Sequence, residues 1–263
     1  SFYQETDGDN WTRSWNISED VSQWHGIKIK DNHVVEINLF QNNLNGTLTE
    51  KISELKYLTH LNIAFNGVTG VLPKSLVGLS ALKVLKVEMN RIKGDIPTDI
   101  GLLQNLEELT AFNNFLSGSI PESIGDLKKL RILNLSSNNL KGEIPHSLGN
   151  LDKLESLGLF ENALNGSIPS EMGKMVKLKE LVLANNRLGG AIPVEFAQLT
   201  SLRILQIQNN NFESLKSLRQ LNTKELLAFD HDETDLDLDF DFKNINKDRS
   251  RMADTKFEDD DEN

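Results

Sequence analysis

Asparagine returns at Asn42, Asn66, Asn90, Asn114, Asn138, Asn162, Asn186 and Asn210, every 24 residues and without a slip over eight copies. A strict period of this length restricts the chain to a stack of identical supersecondary units, because one such unit has no way to bury its own apolar face. Apolar residues stand five and three positions before each Asn and two after it, as in Leu133, Leu135 and Leu140 around Asn138. Glycine follows at the fourth place after the Asn in seven copies, from Gly46 to Gly190, and Ser214 replaces it in the eighth. All six prolines, from Pro73 to Pro193, fall seven places after an Asn.

Each element of the frame has a physical reading. The x-Leu-x-Leu alternation predicts a short strand with two side chains in a core and their neighbours facing outward. The Asn adds nothing apolar, so its amide is expected to turn inward and satisfy backbone groups of the adjoining loops. Glycine then admits a backbone conformation that a Cβ opposes, and proline fixes φ and ends ladder pairing, so the chain turns.

The unit LKKLRILNLSSNNLKGEIPHSLGN, residues 127–150, resembles the plant-type leucine-rich repeat, and the likeness runs over about 34–212. The resemblance implies an α/β right-handed solenoid, a horseshoe with a concave parallel β-sheet, short helical or irregular convex turns, and a ligand surface on the concave or lateral face. It also implies a protein that binds other proteins, peptides or small signals and does no chemistry itself. The expected organisation is an N-terminal cap at 1–33, eight repeats at 34–212, a capping helix at 213–229 drawn from Phe212, Leu215, Leu218, Leu221 and Leu226, and an acidic tail at 230–263. The cap holds all three tryptophans, Trp11, Trp15 and Trp24, which are expected to seal the open end of the core. Where secreted members carry a cysteine on each side of the W-x-G motif, this chain has Ser22 and Ile29.

Charge and composition set the function classes aside in turn. The net charge of -11, with -9 of it in residues 230–263, opposes nucleic-acid binding, which needs clustered Lys and Arg. No apolar run is long enough for a membrane span. Cysteine is absent, which predicts a reducing compartment, cytoplasmic or organellar, and makes a secreted protein the less favoured reading. On that reading the N-x-S/T triplets at Asn10, Asn16, Asn45, Asn134 and Asn165 are by-products of an asparagine-rich repeat. With no Cys, no paired His motif and no phosphate-binding glycine loop, neither cofactor, metal nor small-molecule substrate is expected. A calcium loop begun at Asp235 fails because Phe240 and Asn246 stand where Gly and Glu are needed. His60, the one concave histidine, has Glu36 and Val84 as lateral neighbours and no recognisable triad.

The candidate contact residues follow from the frame. Phe40, Phe65, Met89, Phe112, Phe115 and Phe160 occupy nominally exposed places, with Lys86 and Arg91 beside Glu36, Glu88 and Glu108 as a polar border. In the tail, Leu236, Leu238, Phe240 and Phe242 alternate with aspartates, a pattern suited to docking as a strand or to simple solvation. The favoured function is a scaffold, a structural or accessory subunit of a larger intracellular or organellar assembly, bound to protein partners through the concave face, with the acidic tail as a second candidate contact. The rival is an extracellular recognition module such as a receptor ectodomain or an inhibitor of a secreted enzyme.

Overall fold

The computed structural model describes residues 2–221 and 226–232. Within them, ten strands form one sheet whose first pair, Ile27–Lys30 and His33–Asn38, is antiparallel. Every later strand is parallel to its neighbour and offset by one repeat: Ile37 lies beside Leu61, Leu61 beside Leu85, and so on to Leu205 beside Phe229. The inward positions are fully enclosed, as Leu61, Leu85, Leu133, Leu157 and Leu181 show. The core is therefore one continuous column rather than eight separate ones.

The asparagines line that column as the frame predicts. Asn138 Oδ1 accepts the Leu116 amide at 2.9 Å, while its Nδ2 donates to the carbonyls of Ala111, Leu135 and Ser136 at 3.0, 3.1 and 3.0 Å. Asn90, Asn114, Asn162, Asn186 and Asn210 repeat the pattern with the same offsets. Each amide thus ties its own rung to the one before it. At the first rung no repeat precedes, and the cap substitutes: Arg13 N–H donates to Asn42 Oδ1 at 2.8 Å and the Arg13 carbonyl accepts from Asn42 Nδ2 at 3.3 Å.

After each Asn a second short strand forms, giving a lateral sheet of four (Lys141–Glu143, Ala163–Ser167, Arg187–Ala191, Asn211–Ser214) and two separate pairs. Proline then caps a 3-10 turn, as Pro121 does for Glu122–Asp126 and Pro145 for His146–Asn150. Gly125 lies where successive turns meet, and a Cβ there would strike the Ser147 carbonyl oxygen.

The C-terminal segment departs from expectation. The described residues of the expected capping helix, 213–221 and 226–229, hold no α-helix: Lys216–Gln220 is a 3-10 turn, and Ala228–Asp230 is a strand that pairs with Ile204–Gln206 as a further rung. The reason lies in the repeat itself, whose own turns carry buried leucines three apart, as Leu76, Leu79 and Leu82 do. Leu215, Leu218 and Leu221 continue that pattern, which a helical period imitates. Leu236, Leu238, Phe240 and Phe242 lie outside the described residues.

Along the leading edge of the sheet, side chains of successive rungs alternate in sign. Glu155 accepts from Lys179 Nζ at 2.6 Å and pairs with Arg131 at 2.6 Å. The Lys179 hydrogen bond first, and that of Arg131 second, hold the Glu155 carboxyl below its ordinary value. A depressed carboxyl stabilises the fold above its unfolded pKa, and that contribution is lost as pH falls through the folded value. These pairs are exposed and screened, so the effect is small. Glu155→Gln is expected to lower the neutral-pH melting temperature slightly and to flatten its acid-side fall below about pH 4.5. Superimposable melting-versus-pH curves for the two proteins would show that the triad contributes nothing.

Candidate binding face

The concave surface is assembled from the outward strand positions and the residues that leave each strand. Phe40 and Phe65 are exposed there, with ring centroids 5.1 Å apart and planes tilted by 56°. Met89, Phe112 and Phe160 are half-buried. Phe115 is exposed but belongs to a lateral strand, Phe115–Ser117, that pairs with Lys93–Asp95. The fold therefore brings Phe40 and Phe65 together and sets Phe115 on the flank. Lys86 is joined to Glu108 of the next rung at 2.8 Å, and Arg91 is exposed. Glu88, expected in the polar border, is buried and accepts from the Thr110 hydroxyl at 2.6 Å.

The backbone adds a signal that hydrophobic pattern alone does not reveal. The residue before every Asn adopts a left-handed conformation, with φ between 49° and 58° at Gln41, Asn113, Ser137, Glu161, Asn185 and Asn209. Phe65 and Met89 occupy the same slot at φ 57° and 54°. A left-handed residue costs about 1–2 kcal/mol unless it is Gly, Asn or Asp. Large apolar groups there oppose both local preference and solvation.

His60 is flanked by Glu36 and Val84, as the register demands. Thr59 Oγ1 lies 2.8 Å from His60 Nδ1 and also donates to the Val35 carbonyl at 2.7 Å. A hydroxyl has one proton, so Thr59 accepts from the imidazole, the reverse of what an activated nucleophile requires. Among the described residues no grouping of His, Asp and Glu is suited to a metal ion.

Where the cap meets the first rung, a hollow of about 700 Å³ opens beside Phe40, lined also by Arg13, His25, Lys28, Glu36 and Asn38. Nothing in the sequence marks it, because its walls come from three segments that meet only in the fold.

Comparison with known proteins agrees with this architecture. The chain matches a family model described as a leucine-rich repeat region over residues 111–235 and a second, described as a leucine rich repeat, over 57–79. The two matches together cover more than half of the sequence, and the chain is a leucine-rich-repeat protein. No curated protein matches by sequence. Among solved structures, it is similar to PEPR1–AtPEP1 at a TM-score of 0.78 and 28% identity, covering 88% of this chain and 37% of the other. It is also similar to the ectodomain of the Arabidopsis thaliana membrane receptor kinase GASSHO1/SCHENGEN3, in complex with CASPARIAN STRIP INTEGRITY FACTOR 2 (TM-score 0.71, 32% identity, coverage 84% and 30%). A third is the Arabidopsis receptor kinase HAESA ectodomain with an IDA peptide hormone (0.73, 31%, 81% and 37%). The chain spans about a third of the length of these structures.

These likenesses overturn the intracellular placement drawn from the missing cysteines, since the structural relatives are ectodomains of membrane receptor kinases. The inference failed for a physical reason. The cap closes by aromatic packing, Trp15 on Trp24 at 4.7 Å and Trp11 against Trp15 at 4.8 Å, so the absence of a disulfide says nothing about the compartment. The compartment argument against the five N-x-S/T triplets falls with it. Among the described residues no helix is long and apolar enough to cross a membrane.

Proposed function

We propose that this chain is a recognition module of the extracellular type, which holds a peptide or an extended protein segment along its concave face and leaves chemistry to others. The observation that carries the reading is Phe65, a large aromatic side chain in a left-handed slot and still exposed. The left-handed slot recurs in every rung and Gln, Ser or Glu fills it in three others, so the aromatic ring left exposed there is what marks a surface for a ligand to cover. Phe40, in ring contact with it, doubles the apolar area offered to a partner. The solved relatives support the same reading, two of them with a bound factor or peptide hormone named in the structure.

The test is a selection of peptides from a randomised library on the wild-type protein, followed by affinity measurement with Phe65→Asn. Asparagine accepts the left-handed backbone, a gain of about 1 kcal/mol. The lost ring contact costs about 0.5–1.5 kcal/mol. The two nearly cancel, so the melt is expected to stay within about 1 kcal/mol of wild type. Affinity is expected to fall roughly 10- to 30-fold, as for an interface anchor. Unchanged affinity for every selected peptide would remove Phe65 from the interface and the reading with it.

A further inference from the structure

We propose that the hollow between the cap and the first rung is a subsite for an acidic side chain of the bound segment, taken up by Arg13 beside an apolar side chain seated on Phe40 and Phe65. The inference rests on the recognition reading above and adds the chemistry of the ligand. Its first support is the charge balance of the walls. Lys28 stands 4.0 Å from Glu36, so those two largely answer one another. Arg13 has its backbone fixed by Asn42, yet among the described residues its guanidinium makes no ion pair or hydrogen bond. The hollow therefore presents one uncompensated planar cation on an anchored backbone, the group best matched to a carboxylate.

The second support is the neighbour. His25 lines the same hollow, and its partial burial, then the charge of Arg13, push its pKa below the ordinary histidine value. At neutral pH the ring is uncharged and offers a hydrogen bond without adding a competing ion. Gly26 makes the floor: it has φ 76°, and a Cβ there would collide with the Asn38 carbonyl oxygen, so no larger residue fills the space.

The third is size and continuity. A volume of about 700 Å³ falls within the usual span of ligand sites and exceeds what one carboxylate needs. Phe40 is shared between the hollow and the aromatic pair, so one ligand segment reaches both. The rim is open, with the Lys28 side chain 70% exposed, and the ligand backbone can run past. A side-chain carboxylate, rather than a chain end, suits that opening.

Libraries of randomised synthetic peptides with amidated C-termini, whose carboxylates come from Asp and Glu alone, test this directly on wild type and on Arg13→Gln. Wild type is expected to enrich a large apolar residue next to an acidic one. In Arg13→Gln the apolar preference should remain, the acidic preference should vanish, and affinity for the wild-type consensus should fall about tenfold, the worth of one charge-assisted hydrogen bond. The thermal melt should not move, since only the Arg13 backbone holds the cap. An acidic preference that is missing in wild type, or that survives in Arg13→Gln, overturns the subsite and leaves the aromatic reading standing. Failure to enrich any peptide on either protein overturns both.

Discussion

Replacing Asn138 by alanine should cost about 3–5 kcal/mol and break the cooperativity of unfolding, although the side chain removed is polar and sits among leucines. Its amide serves four backbone groups at once. The carbonyls are shared along the ladder, since Leu135 also accepts from Asn162 and Ala111 from Asn114, and each keeps one partner. The Leu116 N–H has no such second bond in the ladder, and leaving it buried and unmade costs roughly 1–3 kcal/mol by itself. The three weakened acceptors contribute about 1 kcal/mol apiece at most. A cut at the centre also separates rungs that are stable only through neighbours, so urea unfolding should divide into two transitions. Asn138→Asp sharpens the test, for it retains an acceptor toward Leu116 but turns negative charge on three carbonyls. Its folded pKa must lie above the unfolded value of about 3.9, so this variant gains stability as pH falls, opposite to the ordinary carboxylate. A single unfolding transition displaced by less than about 1 kcal/mol would refute the ladder as a structural necessity.

Much of the fold was legible because the frame couples period to chemistry. The asparagine had no apolar reason to recur, so an inward amide was the remaining explanation, and the hydrogen bonds at Asn66 through Asn210 have that form. The error at 213–229 came from a degenerate signal: leucines three apart serve a 3-10 turn and a helix equally well. The contact residues were harder to place. An outward slot says only that a side chain leaves the core; whether it then lies over a neighbour depends on the coil of the whole stack. Glu88 is covered while Phe40 is not, though both stand two places before an Asn. Three of the eight slots before an Asn hold asparagine, which tolerates a left-handed backbone, and Phe65 and Met89 are the two that hold a large apolar side chain instead. The Arg13 hollow was beyond reach, since residues 13, 25 and 40 share no local pattern and meet only because the cap folds over the first rung.

Trp15→Ala is expected to open that end of the molecule while leaving the far end intact. Trp15 is buried and stands at the centre of the cap, stacked on Trp24, edge-on to Trp11, and within 6.2 Å of both Phe2 and Tyr3. Its indole N–H also donates to the His25 carbonyl at 2.8 Å. Removing a buried tryptophan costs roughly 3–5 kcal/mol, and a cap with no disulfide has no covalent constraint to limit the loss. The first rung would then meet water at Ile37, Leu39 and Leu44, all enclosed in the wild type. Because energy in a solenoid passes between nearest neighbours, the opening should fade with distance along the stack. Amide exchange should therefore quicken strongly in the rungs of Asn42 and Asn66 and hardly at all in those of Asn162 and Asn186. Trp15→Phe, which keeps a ring but not the indole N–H, should fall between the two, near the loss of one buried hydrogen bond. If exchange instead quickened evenly from end to end, the cap would be holding the solenoid as a global unit. The view of aromatic packing as a local seal would then have to be abandoned.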